Sequence, residues 1–85
     1  MTIWRRGPTR VVTVYTRVGC HLCEQAEATV RRIARRHDIR IVDVDADPDL
    51  TERYTVRVPV IAVDGVEIAE FALDPAQLRT ALRAP

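Results

Sequence analysis

Cys20 and Cys23 stand two residues apart, with His21-Leu22 between them. A thiolate, not a thiol, attacks a disulfide, and a free cysteine titrates near about 8.5, so a cysteine that works at neutral pH needs help in losing its proton. The start of a helix gives that help through unpaired backbone N–H groups and the positive end of the macrodipole. A second cysteine about one turn later can reach back and resolve a mixed disulfide. Cys20 is therefore the expected nucleophile at an exposed helix edge, and Cys23 the more buried resolving thiol. His21 either favours the Cys20 thiolate as a cation, tuning the redox potential, or points to solvent.

This chemistry needs a strand running into a helix at residue 20. Val11-Val12-Thr13-Val14-Tyr15-Thr16 is β-branched and aromatic without alternation, the pattern of a central strand covered on both faces. Arg17-Val18-Gly19 breaks it. A helix is expected from about Cys20 to His37, with Leu22, Ala26, Val30, Ile33 and Ala34 as its apolar stripe. Glu24 and Glu27 near its start and Arg31, Arg32, Arg35 and Arg36 near its end complement the dipole, and Glu27 pairs with Arg31. Arg40–Asp45 reads as a second strand, parallel to the first across the helical crossover. Asp47-Pro48 opens a short helix to about Tyr54. Val58–Val63 and Val66–Ile68 flank Asp64-Gly65, a two-residue hairpin turn. Asp74 caps a last helix from Pro75 to about Arg83, with Gln77 completing a capping box and Leu73 stapling Leu78. The order β-α-β-α-β-β-α suits one four-stranded sheet with helices on both faces. Residues 1–10 lack periodicity and are expected to form a flexible arm, with Trp4 docking on the body; 11–85 form a single domain.

The 85 residues are 47% hydrophobic and 29% charged, a globular balance for one core. All 13 basic residues are Arg against 12 acids, and the net charge of +1 argues against nucleic acid and anionic membranes. Met1–Arg10 has no apolar signal region, and no apolar run approaches the roughly 20 residues of a membrane span. A cytoplasmic monomer is expected. In that reducing compartment a close cysteine pair reads as catalytic, redox-sensing or metal-binding, not as a staple. His21 and His37 would raise the zinc donor count to four, but His37 lies about four turns beyond His21 on the expected helix. Glu24 after Cys23 excludes the haem signature. Asp43, Asp45, Asp47 and Asp49 read as strand-end and cap residues, and Arg31, Arg32, Arg35 and Arg36 as a solvated face. No metal ligand is assigned.

The run Tyr15-Thr16-Arg17-Val18-Gly19-Cys20-His21-Leu22-Cys23-Glu24 resembles the active-site segment of glutaredoxins, and most closely small bacterial glutaredoxin-like proteins with a C-x-L-C motif. Arg57-Val58-Pro59-Val60 resembles the cis-proline loop of that superfamily, and the likeness covers about residues 11–83. It implies an α/β thioredoxin fold: a four-stranded mixed sheet of order 2-1-3-4 flanked by three helices, with the third and fourth strands antiparallel to the first. It implies a cis Pro59 beside Cys20, and a Val58 backbone that pairs with the bound thiol substrate by strand addition. It places Arg17 where glutaredoxins carry a basic residue near the glutathione carboxylate, which Arg could hold with two prongs; a solvated Arg17 is the alternative. Ala69-Glu70 stand where the Gly-Gly glutathione loop would fall, and Glu70 sets a negative charge there.

The expected function is reduction of disulfides of proteins or low-molecular-weight thiols. Cys20 and Cys23 would be catalytic, and Arg17, His21, Val58 and Pro59 would bind substrate. No cofactor is bound; glutathione, mycothiol, another thiol or a thioredoxin-type reductase would supply electrons. The alternatives are a metal or iron–sulfur module of glutaredoxin type and a redox-inert adaptor.

Overall fold

A computed structural model describes residues 8–84. Along the chain come β1 (Val11–Thr16), α1 (His21–Ile33), β2 (Asp38–Asp43), a 3-10 helix (Val44–Ala46), α2 (Pro48–Arg53), β3 (Val60–Val63), β4 (Val66–Glu70) and α3 (Pro75–Arg83). The sheet order is β2-β1-β3-β4, as the resemblance implies. β1 and β2 are parallel, joined by the α1 crossover. β3 is antiparallel to β1, and β4 is antiparallel to β3. The expected direction of the fourth strand is therefore corrected: two reversals make β4 run with β1, not against it.

The pleat sorts the core into two layers. Val12 and Val14 of β1 and Ile61 and Val63 of β3 join Ala26, Val30 and Ala34 from the α1 side and Leu78 of α3. Val60 faces the opposite side and packs with Val44 and Tyr54, under Tyr15, Leu50 and Val58. All four residues of β3 are buried, so this short strand is the one most fully covered on both faces.

Several boundaries differ from expectation, β4 running on to Glu70 rather than ending at Ile68 among them. α1 stops at Ile33, not His37, because sheet pairing captures the chain. The Asp38 N–H donates to the Arg10 carbonyl at 2.9 Å, and the Arg10 N–H donates to His37 Nδ1 at 2.9 Å. β2 accordingly begins two residues early and ends at Asp43, whose carboxylate accepts the Asp45 N–H at 2.9 Å and caps the 3-10 helix. β3 begins after Pro59, which has no N–H to give a ladder. Of the expected arm, residues 1–7, Trp4 among them, lie outside the described residues. Arg10 belongs to the body, with its guanidinium on Asp64 and on the Ala84 carbonyl.

The hairpin turn forms at Asp64-Gly65 with φ of 50° and 83°, the pair of positive values that a two-residue turn of matching twist requires. The Asp64 carboxylate also accepts the Val11 N–H at 2.9 Å, tying the turn to the start of β1. The capping box on α3 is complete: Asp74 accepts the Ala76 N–H at 2.9 Å, and Gln77 accepts the Asp74 N–H at 3.4 Å.

Leu78 is fully buried between α3 and the sheet. Leu78→Ala should cost about 2–5 kcal/mol, and Asp74→Ala about 1 kcal/mol, read as shifts of the urea midpoint at constant slope. An unchanged midpoint for Leu78→Ala would contradict this core assignment.

Candidate active site

One end of the sheet gathers four connections. Thr16 lies opposite Asp43, Tyr15 opposite Val60, and Val60 opposite Glu70. The segments 17–20, 44–47, 54–59 and 71–74 therefore meet there, at the carboxyl ends of the two parallel strands, where α/β sheets hold ligands.

Cys20 is the N-cap of α1. Its backbone is extended, and its Sγ accepts the Cys23 N–H at 3.1 Å. Gly19, at φ +80°, makes the turn from β1 into the helix, a conformation that costs glycine little. Cys20 and Cys23 are joined as a disulfide, with Cα atoms 5.2 Å apart. Cys20 is half-buried and Cys23 is 1% exposed. When the bond is reduced, the N–H that caps through Cys20 faces a sulfur whose negative charge it and the dipole favour.

Cys23, Ala26 and Val30 form the buried face of α1. Leu22 does not belong to it. It is 46% exposed, which corrects the expected stripe. At about 100° per residue, Leu22 sits roughly a quarter turn from the centre of that face.

The Val58–Pro59 peptide is cis. Pro59 is buried and its carbonyl accepts the Phe71 N–H at 2.8 Å. Val58 is half-buried, and neither its N–H nor its C=O is bonded by a described residue. His21 is 80% exposed at its side chain; its Nε2 shares a hydrogen bond with the Gln25 amide at 3.1 Å, and its Nδ1 lies 3.9 Å from the Glu24 carboxylate.

Arg17 is partly exposed, but its donors are taken. Its Nε and Nη2 donate to both oxygens of Asp45 at 2.8 and 3.1 Å, and Nη1 donates to the Thr55 carbonyl at 2.7 Å. These bonds clamp the loop after β1 to the 3-10 helix and to the loop before Pro59. The Arg17 hydrogen bond holds the Asp45 carboxyl below the usual carboxylate range. Asp43 and Asp47 cap as expected, and Asp45 does not.

The Glu70 charge is matched as well. Arg57 donates Nε to Glu70 at 2.8 Å and Nη2 to Glu67 at 2.5 Å, bridging two carboxylates of β4. The other Glu67 oxygen accepts the Tyr54 hydroxyl at 3.1 Å, and the Tyr54 ring stacks on Tyr15 at 4.6 Å between centroids. Burial, then the bond to Glu67, pushes the Tyr54 phenol up. The role of Arg57 was not read from the sequence, because its partners lie ten and thirteen residues on and only the hairpin brings them back.

Phe71, just past β4, carries φ +66° and is 44% exposed. A bulky residue there costs about 1–3 kcal/mol and persists only where its surroundings fix it. Nothing in the sequence marks this position. Among the described residues, no group of three or more His, Cys, Asp or Glu is placed to hold a metal ion, and no helix is long and apolar enough to cross a membrane.

Comparison with known proteins bears on the same residues. A family model described as "Glutaredoxin-like domain (DUF836)" matches residues 11–83. A crystal structure of a protein from X. campestris is 37% identical over 87% of this chain and 99% of that one, with a TM-score of 0.72. An NMR structure of a protein from Nitrosomonas europaea is 28% identical over 92% of this chain and 96% of that one, with a TM-score of 0.75. A thioredoxin mutant from Halobacterium salinarum is 25% identical over 86% and 71%, with a TM-score of 0.64. Among curated proteins nothing matches.

Since folding lowers the Asp45 pKa, the contribution of its pair with Arg17 is complete above the unfolded value of about 3.9 and is lost as pH falls through the folded value. Arg17→Gln should raise the Asp45 midpoint in a carboxyl carbon NMR titration. It should also reduce the stability lost on acidification. Identical midpoints in the two proteins would contradict the clamp.

Proposed function

The chain belongs to the glutaredoxin-like domain family, and on that footing we propose that it is a thiol–disulfide oxidoreductase in which Cys20 attacks and Cys23 resolves. The observation that carries this reading is the sulfur of half-buried Cys20, placed at the N-cap of α1 and bonded to a buried partner one turn on.

The reduced protein begins the cycle. The Cys20 thiolate attacks one sulfur of a substrate disulfide, forming a mixed disulfide and expelling the first substrate thiolate, which takes up a proton. Cys23 then loses its proton and attacks Cys20 Sγ. The Cys20–Cys23 bond closes and the second substrate thiol leaves. Two electrons have passed from the dithiol to the substrate, and the oxidised protein has the covalent state of this structure. A low-molecular-weight thiol such as glutathione or mycothiol, or a thioredoxin-type reductase, returns the electrons in a reducing compartment.

The surroundings support these roles. The unbonded N–H and C=O of Val58 offer an extended substrate two backbone hydrogen bonds, the contact of strand addition. Pro59 fixes the loop that presents them. His21 stands outside, exposed next to Cys20, where an incoming substrate would meet its ring. Arg17 serves the site by holding its loops, and a substrate carboxylate would have to displace Asp45 to reach it. The thioredoxin named among the structural neighbours is consistent with the same chemistry on this fold.

Cys20→Ser should lose disulfide-reductase activity by at least about a hundredfold, the scale expected when a nucleophile is removed. Cys23→Ser should instead accumulate a mixed disulfide with the substrate, visible by intact mass. Full activity in Cys20→Ser would end this assignment.

A further inference from the structure

We infer that a side-chain groove beside the disulfide, between Leu22 and Phe71, makes this protein selective for extended peptide disulfides that carry an aliphatic residue next to the cysteine. The inference rests on the oxidoreductase reading and names its substrate class.

The segments at the disulfide end of the molecule expose several large apolar side chains. Five large hydrophobic residues are exposed among the described residues: Val18, Leu22, Val56, Val66 and Phe71. Four of them surround the chemistry. Val18 and Leu22 lie within two residues of a cysteine, Val56 lies three residues before Pro59, and Phe71 donates its N–H to the Pro59 carbonyl. Only Val66 lies elsewhere, at the hairpin turn. Clustered exposed apolar residues mark contact surfaces, whereas scattered ones do not. What covers this cluster follows from the reaction. Any group bringing a sulfur to Cys20 must lie across its neighbours.

Between α1 and the segment after β4 is a groove of about 140 Å³, lined by Leu22, Ala26, Phe71, Ala72 and Leu73, with Gln25 and Thr29 at its polar side. A cavity of about 150 Å³ holds one benzene, so the groove takes one aliphatic side chain and no more. Two of its polar groups are already engaged. The Gln25 amide is bonded to His21, and the Thr29 hydroxyl donates to the Gln25 carbonyl at 3.1 Å. The left-handed backbone of Phe71 and its bond to Pro59 hold one wall in place.

Charge decides against the small ionic thiols. The Arg17 fork is filled by Asp45 and Thr55, and Glu70 is matched by Arg57. Glutathione disulfide, with two carboxylates and an ammonium on each half, finds no free partner among these groups. A neutral peptide needs none: the open Val58 backbone meets its main chain, and the groove meets its side chain.

The test uses the reduced protein and three disulfides: those of acetyl-Gly-Leu-Cys-Leu-Gly-amide and acetyl-Gly-Ser-Cys-Ser-Gly-amide, and glutathione disulfide. The second-order rate of oxidation of the Cys20–Cys23 dithiol is measured for each. The leucine peptide should react about tenfold or more faster than the serine peptide, the scale of one aliphatic group in a pocket, and glutathione disulfide slowest. Leu22→Ser and Phe71→Gly should each bring the leucine-to-serine ratio toward one. Glycine accepts φ +66°, so Phe71→Gly removes the wall without opposing the fold. A ratio near one in the unaltered protein, a ratio that both variants leave unchanged, or glutathione disulfide reacting fastest overturns the groove while leaving the oxidoreductase reading intact. If none of the three disulfides oxidises the dithiol, the oxidoreductase reading fails, and the inference with it.

Discussion

Helix α1 begins with backbone N–H groups that no turn of its own can satisfy, and the atom that accepts one of them is a sulfur. At helix starts a hydroxyl, carboxylate or amide oxygen of Ser, Thr, Asp or Asn commonly fills that place. The Cys20 sulfur is a weaker acceptor when neutral and a better one when negative, so the N-cap favours the thiolate. The same helix turns Cys23 inward against the sheet, one turn on, where water does not reach it. Helix geometry alone thus gives two identical side chains different environments. The rest of the fold can be read as what holds this helix start in position.

Much of that holding is done by ion pairs between loops. Arg17 ties the loop after β1 to Asp45 and to the Thr55 carbonyl, and Arg57 ties the segment before Pro59 to two carboxylates of β4. Surface pairs of this kind contribute little to stability. Their effect is positional. Each arginine spans elements that the backbone ladder does not join, with two of its nitrogens on oxygens in a fixed fork. They also match the charges of Asp45, Glu67 and Glu70 close to the loops around the disulfide, in a molecule whose net charge is only +1. Beside them lie the exposed apolar side chains of Val18, Leu22, Val56 and Phe71.

The elements were legible from the residues because their causes are local. Helix starts at Asp47-Pro48 and Asp74-Pro75, the Asp64-Gly65 turn and the β-branched run before residue 17 depend on neighbours a few positions away. Their ends were less so. α1 was expected to reach His37 because nothing in Ala34–His37 forbids a helix; it stops because Arg10, far back in the chain, claims the next residues for the sheet. Leu22 fits an apolar stripe on spacing alone, but a helix side is buried only where another element covers it.

The sequence by itself determined the dithiol, its place at a strand-to-helix junction and the order of the elements, since each is a matter of spacing along the chain. Only the tertiary structure decided that Arg17 faces Asp45, that Glu70 is neutralised by Arg57, and that Leu22 and Phe71 share an open groove. Those residues lie 28, 13 and 49 positions apart. Contacts at such separations are fixed by strand pairing and by the packing of α1 on the sheet. No periodicity or cap records them, because the energy that selects them belongs to the assembled core and not to any short segment.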